Sequence, residues 1–143
     1  MTPRETVTAF IGAINRRDLE ALLRLMTDNH VLKVMDEPEV VGKQNLREAW
    51  RAYFDAFPAY VIHPQRFAQN PGGVAVLGHT PGSHLGLPDE EEAKQTLIWN
   101  AGVRGDKLSA WVLLPDTPRA REALGLSGPE RRSGPPRRRQ KRR

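Results

Sequence analysis

The 143 residues include 22 Lys and Arg, 17 Asp and Glu and no Cys; this length suits one domain that buries a core unaided, and the lack of Cys excludes disulfides, thiolate metal sites and cysteine catalysis. No apolar run approaches the roughly 18 residues of a membrane span, and no basic-then-apolar leader marks secretion, so a cytoplasmic protein is expected. The net charge of +5 is unevenly placed: residues 1–126 hold 14 Lys and Arg against 16 Asp and Glu, whereas residues 127–143 hold 8 against 1.

The first helix has its start written into it. Thr2 and Glu5 have capping-box spacing, and Pro3 suits the first helical position. Val7, Phe10, Ile11 and Ile14 then fall on one face. Asp18 can cap a second helix, with Leu19, Leu22, Leu23 and Met26 repeating the spacing. A short strand is predicted over 30–35. A third helix over 45–57 carries Leu46, Ala49, Trp50, Tyr53, Phe54 and Phe57 on one face, and Pro58 helps to end it.

Beyond Pro58 the pattern turns to strands. They are predicted over 60–67 and 74–80, joined by Asn70-Pro71-Gly72-Gly73, then over 94–103 and 107–114, joined by Arg104-Gly105-Asp106. Residues 81–92 read as a Gly/Pro-rich, then acidic, loop. Thr117 and Pro118 open a last short helix. Short turns between late strands imply antiparallel pairing. Three amphipathic helices on one face of a curved, antiparallel-rich sheet give an α+β cone. Its wide end cannot be filled by side chains alone, so a pocket is expected there.

The domain is expected to span 1–126. The tail, residues 127–143, has no aliphatic or aromatic side chain to bury, so ordering it would cost entropy without return. Its Arg137, Arg138, Arg139, Lys141, Arg142 and Arg143 can bind polyanions, nucleic acid included, by counterion release. It has no aromatic for base stacking, and the domain beside it is slightly acidic. Membrane-surface attraction and a purely solubilising role stand beside that reading.

Four stretches together resemble the nuclear transport factor 2-like superfamily, in its SnoaL-like and ketosteroid-isomerase-like branch. They are AFIGAINRRDLEALLRLMTDN (9–29), VVGKQNLREAWRAYF (40–54), GHTPGSHLGLP (78–88) and GVRGDKLSAWVLLPDTPRAREALGL (102–126). The resemblance implies the cone fold, but the fold hosts isomerases, cyclases, hydrolases, dehydratases and non-catalytic binders. Isomerases of this fold need a base at the end of the first strand, a tyrosine on the first helix and a protonated carboxyl on a late strand. Phe10 stands at the tyrosine position, Trp99 near the carboxyl position and Val34 at the base position. Asp36, two residues on, shares the face of Val34 if the strand continues. Steroid isomerisation is therefore not expected.

Cyclases of the family imply one acid/base residue in an apolar pocket, a role open to Asp36, His63 or His79. The competing reading makes Asp36-Glu37-Pro38-Glu39 a solvated loop. The Asp-Arg-Asp arrangement of limonene epoxide hydrolase has no counterpart around Arg66 or Arg104. His79 and His84 flank Pro81 and Gly82, with no third ligand at a recognisable spacing, so no metal is expected; no cofactor is expected either. Phe10, Val34, Trp50, Tyr53, Phe54, Leu97, Trp99, Trp111 and Leu113 are the candidate pocket wall, with core packing the plainer reading of Trp50 and Phe54.

The leading reading is a binder of a small hydrophobic molecule. A cyclase-like or isomerase-like enzyme using Asp36 or a pocket His comes next, then a nucleic-acid accessory protein acting through the tail. The resemblance also implies a homodimer through the outer sheet face, with Ile98 and Val112 outward.

Overall fold

Helix α1 (Pro3–Arg16) begins as its signals predict: Thr2 and Glu5 form a complete capping box, with Pro3 in the first turn. Its C-cap, Arg17, takes a left-handed conformation, and Asp18 immediately caps α2 (Leu19–Arg24) through the Ala21 N–H. The computed structural model describes residues 1–127. Arg137, Arg138, Arg139, Lys141, Arg142 and Arg143 lie outside the described residues, and so does the polyanion-binding expectation placed on them.

The chain continues as β1 (Met26–Val34), β2 (Val40–Val41), α3 (Lys43–Ala56), β3 (His63–Asn70), β4 (Gly73–His79), α4 (Asp89–Lys94), β5 (Leu97–Arg104), β6 (Lys107–Pro115) and α5 (Pro118–Leu124). The six strands form one sheet in the order β2-β1-β6-β5-β4-β3. Only β1 and β6 pair in parallel, with Leu32 beside Trp111 and Val34 beside Leu113; the other pairs are antiparallel. The turn into β4 requires glycine, because a Cβ on Gly73 would stand 1.8 Å from the Ala101 carbonyl oxygen. Among the described residues no helix is long and apolar enough to cross a membrane.

Alternation along the strands divides the side chains between two faces. Val74, Val76, Leu97, Trp99, Ala101, Leu108, Trp111 and Leu113 face inward and pack with the apolar stripes of α1, α2 and α3. Ala75, Leu77 and Ile98 face outward, where Leu126 and the partly buried Ala120 and Leu124 cover them. This corrects one expectation: Ile98 is fully buried beneath its own chain's C-terminal segment and presents no outward surface, while Val112 is half-buried.

Three further differences have local causes. Strand β1 starts at Met26, four residues early, and is irregular between Met26 and Val31. Strand β3 starts at His63, because Tyr60 and Ile62 are drawn into the core before it pairs. The acidic loop contains α4, so β5 begins only at Leu97.

Candidate functional site

A cavity of about 340 Å³ opens between α3 and the β1–β2 end of the sheet. Leu32 and Val34 of β1 and Val40 of β2 form one apolar wall. The other is a stripe of α3, Ala49, Trp50, Tyr53 and Phe57, at helical spacing. The charged or titratable groups at its mouth are the part-exposed Glu37 and His84, beside Pro38, while the buried Nε1 of Trp50 in the wall has no partner.

The rim groups are linked. The Tyr53 phenol oxygen lies 2.8 Å from Nδ1 of His84 and accepts the His84 backbone N–H at 3.2 Å. On the other side of the imidazole, Nε2 is 4.0 Å from a Glu37 carboxylate oxygen. A carboxylate on that side favours the tautomer with the proton on Nε2, which leaves Nδ1 to accept the Tyr53 O–H. Burial pushes the Tyr53 phenol up to about 12; the charges of Glu92 and Glu37 add to the rise and the His84 backbone N–H opposes it.

The loop that carries His84 is held from below by Glu92. This carboxylate is 1 % exposed and accepts hydrogen bonds from the Thr80 hydroxyl at 2.5 Å and the Ser83 N–H at 3.3 Å. Its other oxygen has no partner. Ser83 in turn accepts the Leu85 N–H, so the turn 83–85 is fixed on both sides of His84.

Of the residues expected to line the pocket, Val34, Trp50 and Tyr53 are in the cavity wall. Phe10, Phe54, Leu97, Trp99, Trp111 and Leu113 are instead packed in the core. Trp99 and Trp111 are stacked at 6.3 Å between ring centroids, and Phe10 lies 5.0 Å from Trp111.

Asp36 does not reach the cavity. The strand ends at Val34, and Met35 turns left-handed (φ 50°) while Glu37 donates its N–H to the Val34 carbonyl. The two-residue periodicity linking Val34 to Asp36 is broken there; Asp36 is exposed and Glu37 takes the rim position. His63 and His79 sit opposite each other on β3 and β4, with ring centroids 4.9 Å apart, away from the cavity. His79 is bonded to the Gln65 amide at 3.2 Å. Among the described residues no three His, Asp or Glu converge as a metal site would require.

Two groups were missed in the sequence. His84 entered as a weak metal candidate, with capping a loop or packing at a pocket rim as the plainer reading, and was not among the named site residues; its flanking Gly82 and Gly86, both with positive φ, mark a shaped loop. His30 gave no signal. It is fully buried, stacked on Phe10, with Nδ1 2.7 Å from the Leu108 carbonyl oxygen and Nε2 unpartnered. The Leu108 carbonyl fixes the proton on Nδ1, and burial lowers the ring's pKa.

The fold is shared with several solved structures. A candidate polyketide cyclase from Sinorhizobium meliloti is 19 % identical with a TM-score of 0.65, covering 77 % of this chain and 94 % of its own. IdmH from Streptomyces antibioticus, also a candidate polyketide cyclase, is 20 % identical with a TM-score of 0.61, covering 80 % and 91 %. TerC, co-crystallised with polyporic acid, is 16 % identical with a TM-score of 0.67, covering 87 % and 99 %. No curated protein matches the chain in sequence. The SnoaL-like domain model matches residues 7–111, well over half of the sequence, and the chain belongs to that family.

Proposed function

We propose that this SnoaL-like domain binds a small, largely apolar organic molecule in the cavity between α3 and β1–β2. The observation that carries the reading is the composition of the wall: mostly apolar and aromatic, with its charged groups at the more exposed Glu37 and His84. Burial of a hydrophobic body would supply affinity, and Tyr53, His84 and Glu37 would orient its polar end. At about 340 Å³ the cavity is at the small end of ligand sites, which suits one or two rings. Co-crystallisation of the similar TerC with polyporic acid supports the same use of the fold. The test is a panel of one- and two-ring compounds, read by Trp50 fluorescence and thermal shift. Ala49→Phe, which fills the wall, should weaken any hit by about tenfold or more without unfolding the domain. Hits that bind the filled variant equally well would sink the reading.

The contact between Tyr53 and His84 favours a second reading, a proton-transfer enzyme with His84 as its acid/base in place of Asp36. With the Tyr53 O–H turned aside, Nδ1 of a neutral imidazole oriented by Glu37 could take a proton from carbon next to a carbonyl. Exchange of such protons for deuterium on a bound 1,3-dicarbonyl compound, followed by NMR, should slow in His84→Asn. Equal rates in both proteins would remove His84 from any chemistry.

A further inference from the structure

The rim of the cavity is unbalanced in charge. Glu37 contributes a carboxylate, and no Lys or Arg stands in the wall. Among the described residues the only cationic partner within 4.0 Å of that carboxylate is Nε2 of His84, itself charged only when protonated. Lys33 is nearby, but its ammonium is bonded to the Glu37 backbone carbonyl and not to the side chain. Among the described residues the carboxylate is therefore left without an ion-pair partner of fixed charge above an aromatic cavity.

The rings beneath it are set at angles to one another. Tyr53 and Phe57 are 4.7 Å apart at 42°, and Trp50 meets Tyr53 edge-on at 6.1 Å and 77°. All three rings line the cavity, and a ring face carries the negative side of the ring quadrupole. A face of this kind attracts an alkylammonium group that is too weakly hydrated to stay in water. A carboxylate ligand would meet the opposite: among the described residues no Lys or Arg lines the wall, Lys33 is engaged by the Glu37 backbone carbonyl, and the Glu37 carboxylate would repel it.

We propose that the cavity selects ligands bearing a substituted ammonium group, held at the rim between Glu37 and the faces of Trp50, Tyr53 and Phe57. The proposal rests on the reading that the cavity takes a small apolar molecule, and it adds the charge class of that molecule. The neutral phenol of Tyr53 adds no negative charge of its own, so the selection falls on Glu37.

Three probes of similar shape test it: benzyltrimethylammonium, its uncharged isostere neopentylbenzene, and phenylacetate. Affinities would be measured by ligand-observed NMR at one fixed pH for all three probes. The ammonium should bind about tenfold tighter than the isostere, with phenylacetate weakest, and Glu37→Gln should remove most of that preference, leaving the smaller part that the ring faces supply. Equal binding of ammonium and isostere, or a preference undiminished in Glu37→Gln, overturns the charge selection while leaving apolar binding in place. If none of the three binds, the apolar-ligand reading falls and the charge selection falls with it.

Discussion

The single phenol oxygen of Tyr53 meets His84 twice, at the ring Nδ1 and at the backbone N–H, and so ties helix α3 to the loop over the cavity. Neither bond belongs to regular secondary structure. Tyr53→Phe keeps the ring's packing against Phe57 and Tyr60 and deletes both bonds. The expected cost is about 1 kcal/mol for a partly exposed pair, measured by urea denaturation. The His84 ring resonances should broaden or shift toward those of a free side chain. A variant with unchanged stability and an unchanged His84 spectrum would show that the loop holds itself.

Both tyrosines of the chain should resist ionisation. Burial raises Tyr53 to about 12 and raises Tyr60 further, with the neighbouring Tyr53 and Glu92 adding to that second rise. An unfolded tyrosine titrates near about 10. Folding therefore favours the protonated phenols. Their contribution to stability is complete below pH about 10 and is lost as pH rises, for Tyr53 through about 12. Absorbance near 295 nm should stay flat at about pH 10.5 in the native protein and rise in guanidinium. A native protein that titrates like the denatured one would place both phenols in water.

His30 sets the opposite limb. Burial lowers its pKa, the Leu108 carbonyl opposing the shift in part. The unfolded ring titrates near about 6.5, so the stability it contributes is full above that pH and is lost as pH falls toward the folded value. His30→Gln can keep a donor for the Leu108 carbonyl and cannot titrate. Wild-type melting temperature should fall between pH about 7 and about 5 more steeply than that of His30→Gln. Parallel curves would assign the acid limb to other groups.

Much of the scaffold was legible because its signals are local. The Thr2–Glu5 capping box, the Asp18 cap and the Gly105 turn each depend on a few adjacent residues. The inward direction of Trp99 and Trp111 also follows from strand period. Their depth does not. Whether an inward ring lines a cavity or fills the core depends on what meets it across the sheet, here Phe10 from α1. The rim was least legible, because one left-handed residue, Met35, exchanges Asp36 for Glu37. Methionine carries no sequence signal for that conformation.

Glu92 was hidden for a related reason. Asp89, Glu90, Glu91 and Glu92 look like a uniformly solvated acidic run, and the first three are exposed. One turn of α4 carries the fourth inward, where among the described residues it has no cation to pair with and holds Thr80 and Ser83 instead. Glu92→Ala should leave a hydroxyl and an N–H without an acceptor and cost about 1–3 kcal/mol. Glu92→Gln retains a carbonyl oxygen and should cost less, although it brings an amide N–H₂ into a buried site where one carboxylate oxygen already lacks a partner. Urea denaturation of the two variants decides the point. Because the clasp also sets the 83–85 turn, Glu92→Ala should disturb the Tyr53–His84 contact and Glu92→Gln should largely preserve it, read from the His84 amide shift. If Gln proves as damaging as Ala on both measures, the negative charge itself, and not the acceptor geometry, holds the loop.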